Sequence, residues 1–268
     1  MKKRIISLIM VFCLIALYIP QCVFAREIDI ISKDIDLIYE EAYNKALIQI
    51  PQTINSEDDA YAYILAHMDF ISRVSDGTIL LNEEGLGLNE QEKGWVLNFI
   101  EKLNKLIQLE AVTVDENMKL HFLVNPSDER ILMRRPTASI MPEARRHAKE
   151  LKEVFDNAVL TTKHYTAGMY FAERVKTGGI WDYKSYMGTN TVYYMEDLNT
   201  NMTGETIGNF HYGYVGRAVF EAATLKSAAG MYQIVSGTSS LGYWKTFFDD
   251  PADQHDIEWG IQKYNSEH

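Results

Sequence analysis

The stretch GNFHYGYVGRAVF, Gly208 to Phe220, decides how the second half of this chain is read. Its first ten residues hold three glycines, three Phe/Tyr rings, an Asn, a His and an Arg. Glycine at that density disfavours a helix interior, and the polar groups disfavour a plain core strand. The expectation is a glycine-bent loop. If the segment is extended, alternation puts Phe210, Tyr212 and Tyr214 on one side and Asn209, His211 and Gly213 on the other. Rings would then anchor the loop while amide and imidazole face a cleft. His211 reads either as a general acid or base or as a satisfied core residue. Arg217 offers to hold a carboxylate, with Asp182, Asp249, Asp250 and Asp253 as the simplest partners.

Around this loop the expected elements are helical. Pro142 opens a helix at a permissive first-turn position, running to about Leu160. Thr162 to Lys176 continues helical, and Gly178-Gly179 stops it. Next comes WDYKSY, Trp181 to Tyr186, read as a loop in which Asp182 and Lys184 form either an acid/base pair or an ordinary ion pair. Asn190 to Gly208 is polar, Glu221 to Val235 is a helix by composition, and Gly237 to Phe248 is a loop. The chain closes with a helix opened by Asp250-Pro251. At ~100° per residue, Asp253, Ile257, Gly260, Ile261 and Tyr264 share one face and His255 lies opposite, near Glu258 and Gln262. Asp253 is therefore either a first-turn cap or a carboxylate directed at a site.

The earlier residues form a different region. Ser32 to Ile48 and Asp58 to Val74 read as helices. A third starts at Asn89, where Glu92 completes a capping box and Trp95, Val96, Phe99, Ile100, Leu103, Leu106 and Ile107 form an apolar stripe. Ala111–Val114 and Lys119–Leu123 read as one short hairpin. Asn125 to Pro136 is polar and interrupted by prolines, and is expected to link the two regions. The fold class is mainly α: a helical C-terminal domain with a loop-borne site, and an N-terminal helical region with one hairpin. The expected divisions are residues 1–25, 26–135 and 136–268.

Residues 1–25 have a basic start, Lys2-Lys3-Arg4, an apolar run from Ile5 to Ile19, and small Ala25 at the expected cut. That pattern reads as a secretory signal, and the run is short for a span of ~20 residues. The expected localisation is secreted, without stable membrane association after cleavage. The two cysteines, Cys13 and Cys22, both fall in this segment, which excludes a cysteine nucleophile and disulfides from the mature chain. Three of the 26 basic residues also lie there, leaving 23 against 37 acids, a net of −14. Such a sign disfavours phosphate backbones as partners. No metal-ligand motif, phosphate-binding glycine loop or serine-hydrolase elbow occurs. No metal or other cofactor is expected.

The ordered series GGIWDYK (178–184), GNFHYGYVGRA (208–218), AAGMYQ (228–233) and DDPADQHDIEWGI (249–261) resembles the bacterial toxin 44 (polymorphic toxin type 44) domain. Trp181, Asp182, Lys184, Gly208, Asn209, Tyr212, Gly213, Gly216, Asp250 and Asp253 match its pattern, which also admits Asn at the position of His211. The resemblance implies a toxin module of bacterial conflict systems. The expected partners are a target-cell polymer, cell wall or RNA, and a cognate immunity protein. Paired carboxylates among rings favour a hydrolase of peptidoglycan glycan, with Asp182, Asp253, Lys184 and His211 as catalytic candidates. Trp181, Asn209, Tyr212, Arg217 and Asp250 would bind substrate. The alternatives are a metal-independent RNase using His211 and Lys184, and a non-enzymatic binding protein.

Overall fold

The computed structural model describes residues 36–83, 85–123, 139–176, 178–226 and 251–268, with side chains of the final helix from residue 254 onward. Nine helices and three two-stranded antiparallel hairpins make up this part, a mainly α fold. The helices are α1 (36–48), α2 (Glu57–Ala66), α3 (Glu90–Gln108), α4 (Met141–Asn157), α5 (Lys163–Val175), α6 (Tyr183–Met187), α7 (Gly204–Arg217), α8 (Ala222–Leu225) and α9 (Pro251–Glu267). The strands pair as β1 (Ile71–Arg73) with β2 (Ile79–Leu81), β3 (Val112–Val114) with β4 (Leu120–Phe122), and β5 (Val192–Met195) with β6 (Thr200–Thr203).

Local sequence sets many of the boundaries. Asn89 Oδ1 accepts from the Gln91 and Glu92 amides, and Glu92 returns the bond to the Asn89 amide, completing the expected box at the start of α3. The apolar stripe of α3 is buried through Val96, Phe99, Ile100, Leu103 and Leu106. Ser56 Oγ and Thr203 Oγ1 cap α2 and α7 in the same way. A tertiary partner caps α4: Asp197, from the β5–β6 turn, accepts from the Met141 amide at 2.6 Å and from Ser139 at 2.7 Å. That puts a carboxylate at the positive end of the helix.

Several expectations need correction. The Gly208–Phe220 stretch is not a loop; residues 208–217 are the body of α7. Helix α2 stops at Ala66, and Ile71–Arg73 becomes a strand, so the N-terminal region has two hairpins rather than one. The polar stretch after Asn190 forms the third. Of the helix expected over 221–235, the described portion is only Ala222–Leu225. The expected link at 125–136 and the loop at 237–248 lie outside the described residues.

The α7 correction has a packing cause. A Cβ on Gly213 would meet the Ile257 carbonyl oxygen at 2.2 Å, and one on Gly260 would meet the Phe210 carbonyl oxygen at 2.1 Å. Helices α7 and α9 therefore cross backbone to backbone, and only glycine permits that approach. Gly216 likewise admits Phe171 and Leu225, and Gly208 admits the Lys184 stem. The helix cost of each glycine, ~1 kcal/mol, is offset by burial of Phe210, Tyr214, Ile257 and Ile261. The C-terminal turn of α9 is clamped too. Arg145 of α4 makes a two-pronged bond to Glu267 at 2.8 and 3.0 Å, and Tyr214 donates to the same carboxylate at 2.6 Å.

The buried apolar residues form one cluster from Tyr39 to Ile261. Polar ties accompany it across the 124–138 interval. Glu57 accepts from the Leu160 amide and pairs with Lys102, and the Tyr39 and Thr166 hydroxyls bond at 3.3 Å. Arg174, 3% exposed, donates to the Leu109 carbonyl and lies 3.3 Å from the Tyr170 ring centroid. Leu109 ends α3, so the guanidinium meets the negative end of that helix.

Gly213→Ala and Gly260→Ala should each destabilise the fold by roughly 2–4 kcal/mol, because a backbone atom must move. Gly94→Ala, on the exposed side of α3 with nothing within 4 Å, should stabilise by about 0.5–1 kcal/mol. Urea unfolding of the three variants checks both signs.

Candidate functional site

The motif residues Trp181 to Lys184 meet Gly208 and His211 where the turn before α6 packs on α7 and α4. Gly178-Gly179 shapes that turn. Gly178 has φ +78, and a Cβ on Gly179 would meet the Arg174 carbonyl oxygen at 2.4 Å. Asp182 follows as the N-cap of α6. Its carboxylate accepts from the Gly178 amide, the Ser185 amide and the Ser185 hydroxyl, and the residue is 8% exposed. Three donors hold this carboxylate in one orientation.

Behind Asp182 the structure buries two imidazoles that lie 64 residues apart. Arg146 donates to His147 Nε2 at 2.9 Å, and His147 Nδ1 lies 2.7 Å from His211 Nε2. A guanidinium has no acceptor, so the order of donors is fixed: Arg146 to His147, then His147 Nδ1–H to His211 Nε2. His211 must then carry its own proton on Nδ1. That atom is buried and has no hydrogen-bond partner among the described residues. An unpaired buried donor costs about 1–3 kcal/mol, which singles this position out.

Rings enclose the pair. Trp181 stacks on His147 with centroids 4.3 Å apart, and Tyr183 lies 4.8 Å from His211. Burial pushes His211 down to about 3, with the Arg146 charge adding to the shift. It pushes His147 down further, helped by His211, Arg146 and Arg174. Both rings are neutral at physiological pH.

The outer edge of this wall carries the charges. Tyr183 donates to Glu143 of α4 at 2.7 Å, and Lys184 bonds Glu205 of α7 at 3.0 Å. Lys184 thus pairs with Glu205 rather than with Asp182. The phenols of Tyr183 and Tyr212 are raised by burial, and Tyr212 donates to the Leu225 carbonyl at 3.2 Å.

The structure brings Trp181 and Tyr183 onto His211 and the Lys184 stem onto Gly208, while Asn209, only 3% exposed, lies about 200° from His211 around α7. The alternation expected for an extended segment does not hold, since Asn209, Phe210, His211 and Tyr214 are all buried on the helix. Among the described residues Arg217 bonds Asn265 at 3.0 Å and the Phe220 carbonyl at 3.2 Å, with Glu221 at 4.0 Å; the side chains of Asp249, Asp250 and Asp253 lie outside the described atoms. Asp253 begins α9, but its side chain, like the whole of Asp250, lies outside the described atoms. His255 is on the solvent side as expected, its side chain 80% exposed. Sequence reasoning missed His147 and Glu143. Nothing local marks them; their alignment along the buried edge of α4 was the available signal. Among the described residues no group of three or more His, Cys, Asp or Glu is placed to hold a metal ion. No described helix is long and apolar enough to cross a membrane.

Residues 170–266, the C-terminal part of the chain, match the family model of bacterial toxin 44. No curated protein and no solved structure matches the chain. The match begins within α5, so α4 lies before it, although α4 supplies Glu143, Arg145, Arg146 and His147.

A fragment starting at residue 170 should therefore lack a cooperative unfolding transition, checked by circular dichroism and urea titration. The intact chain should lose stability as pH falls. The folded pKa values of both histidines lie below the unfolded value near 6.5, so the unfolded state binds more protons beneath that pH. The loss should approach about 1.4 kcal/mol per pH unit for each histidine between pH 6.5 and 5. Glu267, held down to about 2 by Arg145, titrates below that window, and His211→Gln should roughly halve the slope within it.

Proposed function

We propose that the protein is an exported toxin whose C-terminal domain hydrolyses the glycan strands of a competitor's cell wall. The family match supports the toxin, and the leader-like residues 1–25 support export. The acidic balance disfavours a polyanionic target. One observation carries the glycan reading over the RNase reading: both imidazoles at the wall are buried and neutral, whereas three carboxylates edge it. RNA cleavage by His211 and Lys184 needs an imidazole that reaches substrate, and His211 is 1% exposed with its Nε2 accepting from His147. Glu143, Asp182 and Glu205 are the acids at this edge. Glycoside hydrolysis needs only two carboxyl groups across the scissile bond.

In this reading Asp182 serves as one carboxylate and Asp253, at the start of α9, as the other. Lys184 and Glu205 orient the strand, and Asn209 and His211 hold the wall's geometry. A producing cell would need an immunity protein against such an activity.

Digestion of purified sacculi by residues 26–268 over pH 4–8 tests the proposal, with soluble sugar fragments as the expected product. Asn caps helices about as well as Asp, so Asp182→Asn should keep the fold and lower the rate about 100-fold or more. Asp182→Ala should also cost about 1 kcal/mol of stability. Full activity in Asp182→Asn would reduce Asp182 to a cap. Intact sacculi beside degraded RNA would replace the glycan reading with the nuclease one.

A further inference from the structure

Helix α9 has a second face that its packing leaves over. Ile257, Gly260 and Ile261 are buried on the α7 side. Away from that seam, His255, Glu258, Trp259 and Gln262 line a surface cavity of about 390 Å³ together with Thr200 of β6. Thr200 pairs with Met195, which is buried, so it stands on the inward face of the hairpin. A cavity of this size falls within the range of small-ligand sites.

The lining is chemically selective. Trp259 is half-buried, and its ring is fixed by an edge contact with Phe210 at 4.9 Å. Glu258 is oriented by Lys226 at 2.5 Å and by the Gln262 side-chain amide at 3.0 Å. Lys226 also neutralises Glu258, so the described lining offers no free positive charge to an anion. Four of the five described lining residues carry polar side chains, which disfavours an apolar ligand. What remains complementary is an uncharged ring with one apolar face and several hydroxyls. An indole takes the apolar face, while carboxylate, amide, imidazole and hydroxyl groups bond the rim.

We propose that this cavity is a carbohydrate subsite, binding one pyranose ring of a glycan strand against Trp259. Its ligand class rests on the cell-wall reading above. The cavity lies on α9, the helix whose first turn carries Asp253. Glu258 and Gln262 orient the ring, and Trp259 supplies most of the contact area.

The test uses residues 26–268 and the β-1,4-linked trimer of N-acetylglucosamine, with calorimetric titration and tryptophan fluorescence in parallel. The wild-type chain should bind the trimer, and Trp259→Ala should weaken binding about tenfold or more. Because Trp259 also packs on Phe210, its loss risks unfolding. Gln262→Ala, at an exposed position, keeps the fold and should weaken binding about fivefold. Absence of trimer binding in the wild type, or binding unchanged in Gln262→Ala, overturns the subsite. Sacculus digestion separates the two ideas. Trimer binding that depends on Gln262 with sacculi left intact keeps the subsite and removes the hydrolase. Cleaved sacculi with trimer binding indifferent to Gln262 remove the subsite alone.

Discussion

The close crossing of α7 and α9 at Gly213 and Gly260 is the constraint on which the C-terminal half depends. Two helices meet there with carbonyl oxygens where side chains would otherwise stand. The crossing fixes more than a distance. With residues 210, 213 and 214 turned toward α9, the helical repeat sends His211 about 100° from Phe210 and toward α4. The same azimuth sets Gly208 against the Lys184 stem. One contact between small residues thus decides which side of α7 receives the imidazole pair and which receives the last helix. The Arg145–Glu267–Tyr214 cluster fastens the far end of that arrangement.

Electrostatics inside the domain follow from how little water reaches it. A charge is tolerated there only where something fixed answers it. Arg174 is answered by the α3 carboxyl end and the Tyr170 face. Asp182 is answered by three donors of its own turn. The histidines take the other route and remain neutral, passing a single direction of hydrogen bonding from Arg146 inward. The chain of donors ends on His211 Nδ1 without an acceptor among the described residues. His211 lies within residues 170–266 that match the toxin 44 model.

These features bear on how the motif residues divide their work. Gly213, Gly216 and Gly208 are accounted for by close approach, and Trp181 by its stacking on His147. Lys184 and Glu205 stand partly exposed at the edge of the wall, their side chains 36% and 39% accessible. On the polar side of α9 the described ties are the Trp259–Phe210 edge contact, the Lys226–Glu258 pair and the Arg217–Asn265 bond. Functional readings therefore concentrate on the α6 edge and the outer face of α9, with the imidazole core as their support.

The sequence by itself determined what depends on near neighbours. The capping box at Asn89, the apolar stripe of α3, the β3–β4 hairpin and the outward side of His255 all follow from spacings of two to eleven residues. The ordered motifs were likewise enough to indicate the toxin family. It misjudged Gly208–Phe220, because a glycine's meaning is set by what approaches it: the same residues bend a loop in isolation and seat a helix when α9 is present. It also could not place His147 beside His211 or Glu143 beside Tyr183. Those meetings span 64 and 40 residues, and no local pattern encodes them. Only tertiary packing brings such groups together, and the burial that does so also sets their protonation.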